Sequence, residues 1–282
     1  MKYVICHSGG VSSGECALSI AKKYGSENLI LLNHNINGTV ESESTKKFKA
    51  DIASYLGVDI TYANHKDWET VTPISVCVDA KAWKIAKGGK IGDVLCTNRL
   101  KTEPFQRWMD KNDQNKENVY VYGFDLSEPT RITRRSQIMG SNGFKTAYPM
   151  IWDESEIVRI SDVGIEKPAI YDKFKHSNCI GCLKAGWQHW YIVFCTRKDI
   201  WEEAKTGEDE IGYAIHKDAN GPVYLEDKEE LFNAMVLAGV EPTENIKQQT
   251  FWAQAKKKVK LHQADMDDLE QHDKGVCLEC MA

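Results

Sequence analysis

The first half of the chain alternates short apolar runs with amphipathic segments, and this alternation constrains the fold more than any other feature. Two segments, 17–21 and 41–56, carry apolar side chains at helical spacing. An uninterrupted apolar run between helices is typical of a parallel strand that is covered on both faces. The sequence therefore predicts an α/β protein whose ligands bind beyond the carboxyl ends of the strands. The predicted strands are residues 3–5, 29–33, 58–63 and 119–123.

The first predicted strand leads into its helix through residues 8–13, which we call the Ser-Gly loop. Such a loop turns backbone N–H groups and the positive end of the helix dipole toward one point, where a phosphate is stabilised. Gly9 and Gly10 permit close approach of the backbone. Hydroxyl donors come from Ser8, Ser12 and Ser13. No Gly-Lys-Ser/Thr follows, so the loop is either another kind of phosphate site or an ordinary strand-to-helix turn.

Composition and charge narrow the class of protein. The 282 residues suffice for one large or two modest domains, and a net charge of −5 provides no global basic field for nucleic acid. No apolar run approaches the length that spans a membrane, and the first residues predict a strand rather than a signal peptide. We therefore expect a cytoplasmic protein that has no membrane partner.

The later segments have other patterns. Residues 84–93 hold three glycines among charged residues, which predicts a loop, and residues 150–215 predict an irregular region rich in tryptophan and cysteine. Helical spacing returns from about residue 226. We expect a nucleotide-binding domain with a cysteine cluster over residues 1–195 and a mostly helical extension with a cysteine-containing tail over residues 196–282.

The chain has nine cysteines, many for a cytoplasmic protein of this size. Cys179 and Cys182 lie three residues apart, so both thiolates can face one metal. Cys96 is the best third ligand, which would give an iron–sulfur cluster with one iron open. A zinc ribbon would instead pair the motif with Cys277 and Cys280, and structural thiols are the remaining interpretation. Three further cysteines are expected to pack in the core: Cys6, Cys16 and Cys77.

A basic cluster follows the fourth predicted strand, beginning at Gly123. Arg131 and Arg134 lie three residues apart, on one face of a helical turn, and arginine suits the oxygens of phosphate or sulfate. Glu128 either holds one arginine in place or pairs with it on the surface. Asn35 follows the second strand. Because the ends of parallel strands meet at one edge, we expect these residues beside the Ser-Gly loop.

Together these segments resemble the N-type ATP pyrophosphatases and the phosphoadenosine phosphosulfate (PAPS) reductase family. The PP-loop of that family, Ser-Gly-Gly-x-Asp-Ser, is similar to residues 8–13, which read Ser-Gly-Gly-Val-Ser-Ser. Residues 123–134 resemble its second signature, and residues 148–152 resemble the segment that follows. The segments 96–101 and 179–182 resemble those of iron–sulfur members. The resemblance covers about residues 1–195.

The resemblance implies a Rossmann-like core of the adenine nucleotide α-hydrolase-like class. It implies ATP with Mg²⁺, or a sulfonucleotide such as PAPS or APS, bound by the Ser-Gly loop, Asn35, Gly123 and Glu128. It also implies a three-cysteine [4Fe–4S] cluster, with Zn²⁺ as the alternative metal. The expected partners are a tRNA or DNA acceptor, a protein that supplies sulfur or a reducing thiol, and a second copy of the chain.

The chain departs from the family pattern at three places, and three hypotheses follow. Ser12 replaces the aspartate of the PP-loop, Cys96 replaces a double cysteine, and the tail continues past Cys280 to Met-Ala. The first hypothesis is ATP-dependent sulfur insertion, in which Arg131 and Arg134 stabilise the leaving pyrophosphate. The second is sulfonucleotide reduction with Cys280 as the nucleophile. The third is a non-catalytic nucleotide- or zinc-binding module.

Overall fold

A computed structural model describes residues 1–87 and 90–259. Its strands are β1 (Tyr3–Cys6), β2 (Leu29–Asn33), β3 (Ile60–Tyr62), β4 (Lys84–Lys87), β5 (Lys90–Val94), β6 (Val119–Val121), β7 (Lys145–Ala147), β8 (His216–Lys217) and β9 (Pro222–Val223). Its helices are α1 (Val11–Tyr24), α2 (Glu43–Leu56), α3 (Pro73–Asp79), α4 (Leu95–Thr97), α5 (Glu103–Asn112), α6 (Pro129–Ser141), α7 (Trp187–Thr196), α8 (Lys198–Ile211), α9 (Glu229–Leu237) and α10 (Gln248–Lys258).

The central sheet has five parallel strands in the order β3-β2-β1-β6-β7. From β1 the chain moves outward through β2 to β3, and it then returns to the other side of β1 as β6. The strand order therefore reverses between β1 and β6, and a crevice at such a point is where open parallel sheets bind ligands. The predicted α/β class, the strand-helix alternation and the parallel pairing are confirmed.

Helices cover both faces of the sheet, as the apolar strands predict. Neighbouring strand residues point to opposite faces, so Ile5 packs in one cluster with Phe48 and Ile52 of α2. Val4 packs in another cluster with Phe105 of α5. All five side chains are at most 5% exposed. Burial on both faces fixes the register of the strands, because a one-residue slip would exchange the two clusters.

A third apolar cluster is built around the tryptophans of the second half. Trp187, Trp190, Trp201 and Trp252 are almost fully buried there, together with Phe232 of α9. Each such ring removes about 150–250 Å² from water, so this tryptophan cluster is a substantial core. It combines residues from both sides of position 195, and the division of the chain at that position stays a prediction.

Two expectations about local structure are wrong. Residues 84–93 include the antiparallel strands β4 and β5 rather than a loop, because Ile85 packs against the tryptophan cluster and stabilises the pairing. Residues 187–211 form α7 and α8 rather than an irregular region, whereas residues 149–172 do run through short 3₁₀ turns. None of the helices in the described residues is long and apolar enough to cross a membrane.

Candidate functional site

The Ser-Gly loop lies at the point where the strand order reverses. Gly10 is the N-cap of α1. Gly9 has φ +82°, and a Cβ atom there would lie 2.5 Å from Cγ2 of Thr45 and 3.1 Å from Cγ of Lys49. Glycine is therefore required at position 9 both by the backbone conformation and by the close packing of α2 beneath the loop.

Hydrogen bonds inside the loop fix the orientation of its serines and of His7. The Ser13 hydroxyl donates to the Gly10 carbonyl oxygen at 2.8 Å, and His7 Nδ1 lies 3.3 Å from Ser13 Oγ. Because the single hydroxyl hydrogen of Ser13 is used, His7 donates from Nδ1, and its Nε2 remains an acceptor. Burial and the nearby Lys49 ammonium lower the pKa of His7 to about 3, so the ring is neutral. The Ser8 hydroxyl lies 3.4 Å from Ser13 Oγ.

A buried ion pair supports the loop from below, and the sequence analysis missed it. Lys49 Nζ lies 2.8 Å from Glu41 Oε1 and 3.0 Å from Asn33 Oδ1, with 2% of the lysine side chain exposed. Asn33 in turn donates to the His7 carbonyl oxygen. Burial lowers the pKa of Lys49. The available signal was a lysine next to Phe48 on the inward face of an otherwise ordinary amphipathic helix.

The end of β6 approaches the loop as predicted. A Cβ atom at Gly123 would lie 2.9 Å from the carbonyl carbon of Ser12, so only glycine allows this approach. Farther along, Arg131 pairs with Glu128 and lies 4.2 Å from the ring centroid of Phe124. The ion pair and the ring leave the Arg131 side chain 17% exposed and fix its position.

Three further predicted residues are exposed or half-buried: Arg134, Asn35 and Ser12. Arg134 is exposed, one turn along α6 from Arg131. Asn35 donates its backbone N–H to Asn64 Oδ1 at 2.8 Å, which ties the loop after β2 to the loop after β3. Ser12 is half-buried in the first turn of α1.

One pocket joins the Ser-Gly loop to the cysteine segment. Ser8 and Cys179 both line it, and Phe105 of α5 forms part of its wall. His34 lines it as a neutral ring, since burial lowers the pKa of His34 to about 4 and Nδ1 bonds the Ala63 carbonyl oxygen. The other lining residues are Cys6, His7, Leu32, Asn33, Ile36, Glu41, Lys101 and Ser177.

The segment that carries Cys179 is tied directly to the sheet edge. The Tyr171 hydroxyl accepts the backbone N–H of Val11 at 3.3 Å, in the first turn of α1. Ile180 donates its N–H to the Val40 carbonyl oxygen at 2.9 Å. Tyr171 therefore occupies one of the N–H groups expected to bind a phosphate. No sequence signal pointed to this contact, because it joins residues 160 positions apart.

The predicted metal ligands lie at the apolar core, where Cys96 and Cys179 both pack against the tryptophan cluster. Cys179 lines the pocket, and Cys182 is 4% exposed. Hydrogen bonding with Cys96 lowers the pKa of the Cys77 thiol. Within residues 1–87 and 90–259, no three His, Cys, Asp or Glu side chains form a group that could hold a metal ion. The [4Fe–4S] and Zn²⁺ assignments stay predictions.

Of the other predicted cysteine roles, the packing of three cysteines in the core is confirmed, and the roles of the two tail cysteines fall outside the described residues. Cys16 and Cys77 are fully buried in apolar clusters, and Cys6 packs against a third, as predicted. Burial raises the pKa of Cys6 to about 12, so this thiol is inert near neutral pH. The proposed nucleophile Cys280 and its neighbour Cys277 lie outside the described residues.

A scan against protein-family models and a search of curated proteins find no match to this chain. The resemblance to the PAPS reductase family therefore stays a prediction from the motifs.

Proposed function

We propose that the chain is an enzyme of nucleotide-dependent sulfur chemistry, with a core of the adenine nucleotide α-hydrolase-like class. An adenine nucleotide binds at the Ser-Gly loop, and its reacting end lies near the Cys179 thiol. The observation that carries the proposal is that Ser8 and Cys179 line the same pocket. The strand reversal between β1 and β6 supports the position of the nucleotide.

The surroundings of the loop support a phosphate. The N-terminus of α1 supplies a helix dipole. The aliphatic stem of Lys49 packs beneath Gly9, and Glu41 and Asn33 hold its ammonium. Arg131, fixed by Glu128 and Phe124, supplies a charged fork at the end of the neighbouring strand. Charge of this kind stabilises a leaving pyrophosphate more than it stabilises intact ATP.

The pocket below the loop holds buried acceptors that suit a hydrogen-bond donor group of a ligand. Two buried polar atoms of its lining residues, His7 Nε2 and Glu41 Oε2, have no hydrogen-bond partner among the described residues. Both are acceptors, and an unsatisfied buried acceptor costs about 1–3 kcal/mol. The cavity measures about 30 Å³, which is room for one small group. A ribose hydroxyl or the 6-amino group of adenine is a donor of that size and would satisfy an acceptor there, whereas an unprotonated phosphate oxygen would not.

The reaction that fits this arrangement best is sulfur insertion. An acceptor carbonyl oxygen attacks the α-phosphorus of ATP, the α–β bridging bond breaks, and pyrophosphate leaves. A hydrosulfide sulfur then forms a bond to the adenylated carbon, its proton is released to solvent, and the carbon–oxygen bond breaks. The oxygen leaves with AMP, and the acceptor keeps a carbon–sulfur double bond. Arg131 and the loop amides stabilise the pyrophosphate, and no step requires Cys280.

A pair of assays tests this function. Purified protein is incubated with ATP or PAPS, a sulfide source and tRNA or DNA, and AMP, pyrophosphate and sulfite are measured. AMP and pyrophosphate in equal amounts support sulfur insertion, whereas sulfite from PAPS that is lost in Cys280→Ser supports the reductase. Nucleotide binding without any turnover supports the non-catalytic module. Iron, sulfide and zinc are quantified after anaerobic purification of the wild type and of Cys96, Cys179 and Cys182 variants.

A further inference from the structure

One buried pair, His189 and Glu244, holds both ends of the segment that carries the cysteines. Glu244 Oε2 accepts the backbone N–H of Lys175 at 3.1 Å. His189 Nε2 accepts two N–H groups, from Gly181 at 3.2 Å and from Cys182 at 3.3 Å. The two side chains are each 5% exposed, and His189 Nδ1 lies 3.5 Å from Glu244 Oε1. Residues 175–182 therefore begin and end on this pair.

The tautomer of His189 follows from these bonds. Nε2 accepts two backbone N–H groups, so it carries no hydrogen, and the ring hydrogen is on Nδ1. That hydrogen points toward Glu244, whose carboxylate can only accept. The carboxylate thus selects the tautomer that the cysteine loop needs, although Glu244 itself contacts neither Gly181 nor Cys182.

The opposite side of the loop is also fixed. Gly181 has φ +76°, and a Cβ atom there would lie 2.5 Å from Cγ2 of Ile200 in α8. The turn between the two cysteines is therefore confined between the His189 ring and the Ile200 side chain. Phe174 packs on the same ring with 4.9 Å between centroids, but it makes no hydrogen bond to the loop.

We infer that His189 and Glu244 are positioning residues of the candidate site, which hold the Cys179–Cys182 turn so that Cys179 lines the nucleotide pocket. They act through the loop backbone and not by contact with the substrate. The chemical role of Cys179 rests on the proposed function. The hydrogen bonds of His189 and Glu244 to residues 175–182, which we call the clamp, do not depend on it. Because Glu244 precedes α10, the C-terminal helical region completes the site.

Three variants of the full-length chain test the clamp. His189→Phe keeps the ring but removes the acceptor, and His189→Gln returns an acceptor near the Nε2 position. In Glu244→Gln, the amide NH2 faces either His189 Nδ1, where it favours the tautomer with hydrogen on Nε2, or the Lys175 N–H, which is itself a donor and cannot accept it. One end of the segment therefore loses its acceptor in either orientation. Phe174→Leu is the matched control for ring packing.

The primary readouts are hydrogen exchange of the Gly181 and Cys182 amides and the alkylation rate of Cys179 relative to Cys195. We expect His189→Phe to accelerate both amides about tenfold and to change the Cys179 rate, with His189→Gln lying closer to wild type. Glu244→Gln should accelerate exchange at one end of residues 175–182 while Phe174→Leu leaves both ends unchanged. These readouts need neither nucleotide nor turnover, so a failure of the proposed function is distinguishable from a failure of the clamp.

The inference is overturned if His189→Phe leaves the two amides and the Cys179 rate as in wild type, or if Phe174→Leu changes them equally. If His189→Phe does not fold, the comparison of Glu244→Gln with Phe174→Leu decides alone. Equal exchange in those two variants at both ends of the segment contradicts the clamp.

Discussion

The buried pair of Lys49 and Glu41 gives a prediction whose size follows from the structure. Only 2% and 10% of the two side chains are exposed, so neither charge can be solvated when its partner is removed. Lys49→Met keeps the aliphatic stem that packs beneath Gly9 but leaves the carboxylate unpaired. We expect a loss of about 3–5 kcal/mol in the free energy of unfolding, a large share of the ~5–15 kcal/mol of a typical domain.

A double-mutant cycle with Glu41→Gln separates pairing from packing. The double variant removes both charges, so it should lose about 2 kcal/mol less than the sum of the single variants. Unfolding is followed in urea by tryptophan fluorescence. Lys47→Met is the matched control, since Lys47 pairs with Asp51 on the exposed face of the same helix, and it should leave the free energy of unfolding close to the wild-type value. A buried single variant that costs as little as this control, or strict additivity, would refute the reasoning.

Three further predictions concern the loop, the tyrosine and a buried histidine. Gly9→Ala should lower the free energy of unfolding in urea by about 2–5 kcal/mol, because the new Cβ atom is strained by the positive φ and also collides with Thr45. Gly212→Ala should lower it by only about 1–2 kcal/mol, because φ there is +73° but no atom lies within 4 Å. Equal losses in the two variants would contradict the close packing at Gly9. Tyr171→Phe releases the Val11 N–H for a phosphate, so the dissociation constant for ATP, measured by calorimetry, should fall about two- to tenfold. Unchanged or weaker binding would show that the Tyr171 hydroxyl does not compete with the phosphate for this N–H. Burial lowers the pKa of His216 to about 3, below its unfolded value near 6.5. The neutral, buried ring therefore contributes fully to the free energy of unfolding above pH 6.5. This contribution declines as the pH falls toward 3, because only the unfolded state binds the proton. His216→Phe should therefore reduce the stability difference between pH 7.5 and pH 5.5 by about 1 kcal/mol, and an unchanged difference would contradict this assignment.

The sheet could be predicted from the sequence because its determinants are local. The run at residues 29–33 and the apolar stripe of α2 specify buried elements without reference to distant residues. The Ser-Gly loop and Gly123 could be predicted at one sheet edge because parallel strands place their carboxyl ends together. The structure places these residues in direct contact.

The contacts that complete the site could not be predicted in this way. Tyr171 meets Val11, and Glu244 meets Lys175, through folding of the irregular region and the C-terminal helices over the sheet edge. The role of Lys49 could not be predicted, because only the tertiary fold brings Glu41 and Asn33 next to its ammonium. Residues 187–196 were predicted to be irregular but form α7, because residues 187–194 are buried on every side of the helix and therefore show no amphipathic period.

The central claim is that nucleotide and cysteine share one pocket, and protection of Cys179 from alkylation measures this most directly. The protein is treated with iodoacetamide with and without saturating ATP or PAPS, and modification of Cys179 and Cys195 is quantified by peptide mass spectrometry. Cys195 is also half-buried but does not line the pocket, so it serves as the internal control. The account predicts that nucleotide slows modification of Cys179 at least about tenfold and leaves Cys195 unchanged. Equal modification of Cys179 with and without a bound nucleotide would contradict it.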